Sequence, residues 1–166
     1  VDKVAKESGF SHEFIEEIGE YASVTSSFLF NIAVSAHPMG LVDTMSVSDK
    51  LYVCQTNVIR DLADKGPCVI VGRCADYVLR HRNPLRLFFY ADIADRMERC
   101  RKRNEEQKSL NHDVLRKIIT QTDKNRSRYY EFLSGQKWGA KENYDLCINT
   151  SSADTEKIIQ CVISLL

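Results

Sequence analysis

The pair Gly72-Arg73 stands directly after the apolar run Cys68-Val69-Ile70-Val71, and this arrangement suits phosphate binding. A glycine at a strand end lets backbone come close to a ligand, and a guanidinium fork matches phosphate oxygens two at a time. Two further apolar runs end in polar residues. Leu85 to Ala91 leads to Asp92, and Tyr144 to Ile148 leads to Asn149-Thr150-Ser151. As parallel strands, the three runs would bring a cation, a carboxylate and a cluster of hydroxyl and amide groups to the rim where open parallel sheets bind ligands. An ion pair between Arg73 and a neighbouring helix is the other reading of that arginine, and local pattern leaves it open.

Cations recur at helical spacing on two later segments. Arg96, Arg99 and Arg103 follow at i, i+3, i+7; Lys117, Lys124 and Arg128 follow at i, i+7, i+11. Arg126 continues the stripe Leu115, Ile119, Thr122 toward Tyr129, Tyr130 and Leu133, a position that turns it inward or toward a cleft. One basic stripe alone reads as a solvated face. Two on consecutive helices, with Arg73 on the rim, point to a polyanion such as a nucleotide. Hydrolytic chemistry lacks comparable support: G-x-S-x-G, H-E-x-x-H and His/Cys clusters are absent, and the histidines at 12, 37, 81 and 112 fall near loops or helix ends. No metal-ligating set stands out.

The elements that must position these groups alternate. The three apolar runs are short and rich in β-branched or aromatic residues, as strands covered on both faces require. Between them lie helical patterns. One spans about 47 to 65, with Leu51, Cys54, Val58 and Leu62 on its apolar stripe; Ser46 and Asp49 form a capping-box start, and Lys65-Gly66-Pro67 a stop. A second, about 92 to 105, buries Ile93, Met97 and Cys100; a third, about 111 to 133, carries Val114, Leu115, Ile118, Ile119 and Thr122. The last follows Ser151 and Asp154, with Ile158, Ile159, Val162 and Leu166 inward. Short helices are expected near 2 to 8 and 11 to 19, followed by Ser26-Ser27-Phe28-Leu29-Phe30 and the loop His37-Pro38-Met39-Gly40. The order predicts an α/β fold, a parallel sheet wrapped by right-handed crossovers.

With 166 residues, 43% of them apolar, the chain suffices for one sizeable core. A single domain over 1–166 is expected. Lys plus Arg equal Asp plus Glu at 23 each, so no basic field of the sort nucleic acids require is present, and any anion site is local. No apolar run is long enough to span a bilayer and no signal-peptide layout opens the chain, which places the expected compartment in the cytoplasm. The cysteines at 54, 68, 74, 100, 147 and 161 include no C-x-x-C pair and are expected to be buried, reduced thiols.

At Val69-Ile70-Val71-Gly72-Arg73-Cys74-Ala75-Asp76-Tyr77-Val78-Leu79 the chain resembles the cytidylate kinases, and more closely the cytidylate kinase-like family. Further segments agree in order: Lys65-Gly66-Pro67, Leu87 to Asp92, Thr122-Asp123-Lys124-Asn125-Arg126-Ser127-Arg128-Tyr129-Tyr130, Lys137-Trp138-Gly139, and Asn143 to Asn149. The resemblance implies a P-loop nucleoside monophosphate kinase sandwich of three layers, in which the three strands here are the third, fourth and fifth. It places the first strand and its phosphate loop before residue 1, about thirty to forty residues in all.

By the same resemblance, the activity is ATP-dependent phosphoryl transfer to CMP or dCMP, with ATP and Mg2+ as cofactors, in a monomer or homodimer. Gly72, Arg73, Asp76 and Asp123 fall to the acceptor; Lys124, Arg126 and Arg128 to the transferring group; Arg99, Arg103 and Asn149 to the donor nucleotide. Residues 1–45, with Phe28 and Phe30, would form the acceptor-binding region and 106–140 the lid. Two departures bear on the cytidine preference: Cys74 stands where cytidylate kinases carry Asp, and the lid has a sparser Arg/Asp alternation. Alternatives are a non-catalytic nucleotide-binding module of the same fold and a kinase of another small hydroxyl substrate.

Overall fold

A computed structural model of the chain describes residues 2–9, 11, 47–103 and 105–166. The expected helix at 11–19, the aromatic stretch around Phe28 and Phe30, the loop at His37 and the Ser46 cap lie outside the described residues. Those that are described are helix α1 (Asp2–Ser8), α2 (Val47–Asp64), α3 (Ala75–Val78), strand β1 (Leu87–Tyr90), α4 (Ile93–Arg103), α5 (Glu105–Lys108), α6 (His112–Ser134), β2 (Leu146–Asn149) and α7 (Thr155–Ile163). Short 3-10 turns occupy Arg80–Arg82 and Lys141–Asn143. None of the described helices is long and apolar enough to cross a membrane.

Two compact units divide the chain: Val1–Pro84 with Asn125–Trp138, and Leu85–Lys124 with Gly139–Leu166. In the first, the amphipathic stripe of α2 meets α1 through Val4, Leu51 and Val58, with Ala5, Cys54 and Leu62 around them. The next turns of α2 meet α3 through Ile59, Ala75, Val78 and Leu79, with Ala63 and Ile70 packed alongside. Lys65 N–H returns to the Leu62 carbonyl, and Gly66 takes a positive φ of 137° that ends the helix where the sequence placed its stop.

In the second unit β1 and β2 pair in parallel, Leu87 opposite Leu146 and Tyr90 opposite Asn149, so the predicted parallel α/β arrangement is present. Parallel neighbours require a crossover, and helices α4, α5 and α6 lie within the connection between these strands. Its core joins Met97 of α4 to Leu115 and Ile119 of α6, with Ile93, Cys100 and Leu110 packed against them. Leu115 has no exposed surface; a truncation to Ala there costs about 2–5 kcal/mol. Ahead of α7, the Asp154 carboxylate accepts from the backbone N–H groups of Glu156 and Lys157, satisfying the start of the helix.

Three expectations are corrected. Cys68 to Val71 forms no strand and joins no sheet among the described residues, and Val69 and Val71 are 94% and 88% exposed. Apolar, β-branched composition marks a segment that favours a ladder without naming its partner. The inward face predicted for the last helix is met only in part: Ile158 and Val162 are half-buried, whereas Ile159 and, beyond α7, Leu166 are exposed, and no residue of α7 is fully buried. Of the cysteines, only Cys74 is buried, while Cys68, Cys147 and Cys161 are exposed.

Candidate functional site

Among the described residues of the first unit, Gly72-Arg73-Cys74 form a run of left-handed backbone, with φ values of 69°, 55° and 57° in succession. Glycine takes this region freely, but side-chain-bearing residues pay about 1–2 kcal/mol each for it. The turn is closed by Ala75 N–H donating to the Gly72 carbonyl at 3.1 Å, and α3 begins at once, with Val78 N–H on the Cys74 carbonyl. Packing of Ala75 and Val78 onto Ile59 holds that short helix down. The strain is thus balanced by burial immediately after it.

Arg73 is half-buried, and its terminal nitrogen Nη1 is shut from solvent without a hydrogen-bond partner. A buried cationic donor left unmatched costs at least about 1–3 kcal/mol, so the position suits a group that meets an anion. The two tyrosines of α6 stand at this turn, Tyr129 near Arg73 and Cys74 and Tyr130 at Asp76. The Tyr129 hydroxyl donates to Gln55 Oε1 at 3.3 Å. Burial, then the neighbouring Cys74 sulfur, push the Tyr129 phenol up, while the charge of Arg73 pulls it back down. Tyr130 places its hydroxyl 2.8 Å from Asp76 Oδ2 and 3.1 Å from Gln136 Oε1. The Cys74 thiol is pushed up to about 12 by burial first and by the Asp76 charge second.

These bonds turn one face of α6 to the turn at 72–76. Arg126 precedes Tyr130 by one helical turn on that face and is exposed; Lys124 and Arg128 are exposed as well. The side chains of Lys124 and Arg128 make no hydrogen bond or ion pair among the described residues. Gly72 and Arg73 thus lie in the same unit as Arg126, Arg128 and Asp76, whereas Asp123 and Lys124 fall to the other.

In the second unit the strand ends do carry the polar cluster expected of them. Asn149 Oδ1 accepts from Ser151 N–H at 2.9 Å, the Ser151 hydroxyl accepts from Asp92 N–H at 2.8 Å, and Thr150 donates to the Tyr90 carbonyl. Arg99 reaches across from α4, giving one nitrogen to Thr150 Oγ1 at 2.8 Å and the other to the Thr150 carbonyl at 2.6 Å. Arg96 is bound at both ends by Asp123. Of the stripe Arg96, Arg99, Arg103, two members therefore hold the fold, and Arg103 remains exposed. No cluster of three or more His, Cys, Asp or Glu that could cage a metal ion occurs among the described residues.

The sequence profile of the cytidylate kinase-like family matches residues 1–152. The protein belongs to the cytidylate kinase-like family. This family member is also similar, with a TM-score of 0.61 and 27% identity, to the crystal structure of an uncharacterized protein from Eubacterium ventriosum ATCC 27560, over 75% of this chain and 77% of that one. No curated protein matches it. Membership in a cytidylate kinase-like family gives the chain a kinase-like, nucleotide-directed character at a coarse level.

Sequence reasoning missed Gln55, Tyr129, Tyr130 and Gln136 in this cytidylate kinase-like protein. One signal was available: Gln55 follows Leu51 by four residues, so a polar residue stands on the apolar face of α2, and it is only 5% exposed. The tyrosines gave no such sign, because a Tyr pair at the end of an apolar stripe is indistinguishable from ordinary core.

Proposed function

We propose that the protein transfers a phosphoryl group from ATP to a nucleoside monophosphate, with CMP or dCMP as the favoured acceptor. The single observation that supports this most is the buried, unmatched Nη1 of Arg73 on a strained turn, in a chain whose family is cytidylate kinase-like. A donor kept dry and unpaired gains most when a phosphate oxygen arrives, since the anion then meets a charge that water no longer screens.

In this reading Arg73 binds the acceptor phosphate, with Gly72 allowing close backbone approach and Asp76 facing the sugar or base. Arg126, Arg128 and Lys124 neutralise charge that develops on the transferring group. Phosphoryl transfer rests on positioning and charge neutralisation, so cations without a general base are the fitting residue types. ATP would supply the phosphoryl group, and a Mg2+ ion bound with it would offset the charge of its phosphates. Arg103 and Asn149 remain the residues proposed for the donor nucleotide; Arg99 serves it by holding the 149–151 loop, and Asp123 acts through its hold on Arg96.

The test is a coupled ADP-release assay on the full-length protein with magnesium-ATP and each monophosphate in turn. Turnover with CMP or dCMP above the other acceptors is expected. Nucleotide binding without turnover of any acceptor would instead assign the chain as a binding module. Neither binding nor turnover would remove the nucleotide reading.

A further inference from the structure

Tyr130 is 5% exposed beside the 72–76 turn, and its hydroxyl has one proton to give. The Asp76 carboxylate at 2.8 Å is charged and nearer than the Gln136 amide oxygen at 3.1 Å, so it takes that proton. The helix end keeps this arrangement in place: the Ser134 hydroxyl donates to the Tyr130 carbonyl at 2.6 Å and accepts from Gln136 N–H at 3.0 Å. Only one oxygen of Asp76 is used. Oδ1 makes no hydrogen bond among the described residues, and Asp76 supplies the sole carboxylate between Gly72 and Leu79. Its neighbour Cys74 is buried and, pushed up to about 12, carries no charge at neutral pH. A carboxylate whose one oxygen is tied presents the other in a fixed direction, three residues from the arginine with the unmatched nitrogen.

We infer that Asp76 Oδ1 accepts a hydrogen bond from a donor on the acceptor nucleotide, a base amine or a ribose hydroxyl, and that Tyr130 is the positioning residue that aims it. The inference rests on the nucleotide reading above and assigns its selectivity. An acceptor-only group rejects an analogue that offers a lone pair in place of a proton, because two acceptors facing each other leave both unmatched. Arg73 then provides affinity for any phosphate, and the Tyr130–Asp76 pair provides the choice among nucleotides.

Titration calorimetry on the full-length protein, with CMP, UMP, dCMP and inorganic orthophosphate as probes, tests this. Tyr130→Phe keeps the ring and removes the proton. Its expected result is a ~10-fold loss of CMP affinity with orthophosphate affinity unchanged. The CMP-to-UMP ratio contracts if the donor is the base amine, or the CMP-to-dCMP ratio if it is the ribose 2′-hydroxyl. Asp76→Asn can still accept from Tyr130 but offers N–H on its other side; it should contract the same ratio, and for a base amine tip it toward UMP, whose O4 accepts. Equal loss for all nucleotides and for orthophosphate would mean that Tyr130 only supports the fold, and would overturn the inference. So would unchanged CMP affinity in both variants. Wild-type protein that binds orthophosphate but none of the nucleotides would overturn the nucleotide reading itself, a result distinct from wild-type CMP binding that Tyr130→Phe leaves intact.

Discussion

The Arg96 guanidinium and the Asp123 carboxylate meet end to end, Nη1 2.6 Å from Oδ2 and Nη2 2.7 Å from Oδ1. The pair ties α4 to α6 beside Met97, Leu115 and Ile119, and it is about three-quarters withdrawn from water on the Asp123 side. The hydrogen bonds to Asp123 raise the already high pKa of Arg96 further. Removal of either partner leaves a partly dry charge unmatched. Arg96→Ala and Asp123→Ala are each expected to cost about 1–2 kcal/mol in urea unfolding, with the double variant well short of the sum. Arg96→Lys should recover little, because an ammonium cannot make the two-point fork. Strict additivity would show that the pair contributes nothing as a pair.

Asp145 illustrates the pH dependence of such contacts. Its Oδ2 accepts from both the side-chain Nε and the backbone N–H of Arg86, and its Oδ1 accepts from Nη2. The side-chain bonds first, then the backbone bond, hold its carboxyl below the usual range. A depressed folded-state pKa contributes stability above the unfolded value of about 3.9, and that contribution fades as pH falls through the folded value. Asp145→Asn should therefore lower stability near neutral pH and track wild type ever more closely below about pH 4. A stability gap that widens in acid would contradict this assignment. The pair is more than one-third exposed, so the gap is expected to be small.

How much of this was legible beforehand depends on what each feature answers to. The helices at 47–64, 93–103 and 112–134 follow from apolar periodicity and stop signals within their own segments, and so does the Asp154 cap of α7. Pairing is a different matter: Leu87–Tyr90 and Leu146–Asn149 found each other, while Cys68–Val71, of similar composition, stands exposed, because a strand's fate is settled by its neighbours. The candidate site divides likewise. Gly72-Arg73 announces itself through residue type, but the engagement of Arg96 and Arg99 by Asp123 and Thr150 is invisible in a stripe of cations, since periodicity shows which face a residue is on and not what it meets.

Gly139 offers a sharper packing test. It has φ +74°, and a Cβ built on it would stand 2.9 Å from the ring tip of Phe88, itself 4.9 Å from the Tyr144 ring by centroid. Gly139→Ala combines a left-handed backbone with a clash against an aromatic ring on β1. A loss of about 1–3 kcal/mol is expected by thermal unfolding. The double variant Gly139→Ala with Phe88→Leu should lose less than the two single effects combined, since the shorter side chain relieves the overlap; full additivity would refute the contact.

Thiol labelling separates the cysteines by burial and charge. The exposed Cys68, Cys147 and Cys161 are open to reagent and should react with iodoacetamide readily at about pH 8. Cys74 is buried and pushed up to about 12 by burial and by Asp76; its thiolate fraction at that pH is about one in ten thousand. Mass spectrometry is expected to find Cys74 labelled at least ~100-fold more slowly until denaturant is added. Prompt labelling of Cys74 would show that the 72–76 turn opens easily and does not hold Arg73 in place.

The two arginines of the first unit carry the heaviest prediction. Arg73 offers a dry, unmatched nitrogen on the strained turn, and Arg126 rides one helical turn before the tyrosine that binds Asp76. If both face phosphate, Arg73→Ala and Arg126→Ala should each lower kcat/KM by at least ~10²-fold, about 2.7 kcal/mol of lost stabilisation. The two effects should divide by kinetic parameter. An acceptor-phosphate contact made before and during transfer appears chiefly in the acceptor KM, whereas a contact that strengthens as charge develops appears in kcat. Arg73→Ala is therefore expected to raise the KM for CMP, and Arg126→Ala to lower kcat with KM little changed. Arg73→Lys should recover only part of the loss, because the strained turn aims a planar fork at a fixed point and an ammonium fills that position with different geometry. Wild-type rates in both alanine variants, with the fold intact by circular dichroism, would move the phosphate site elsewhere on the molecule.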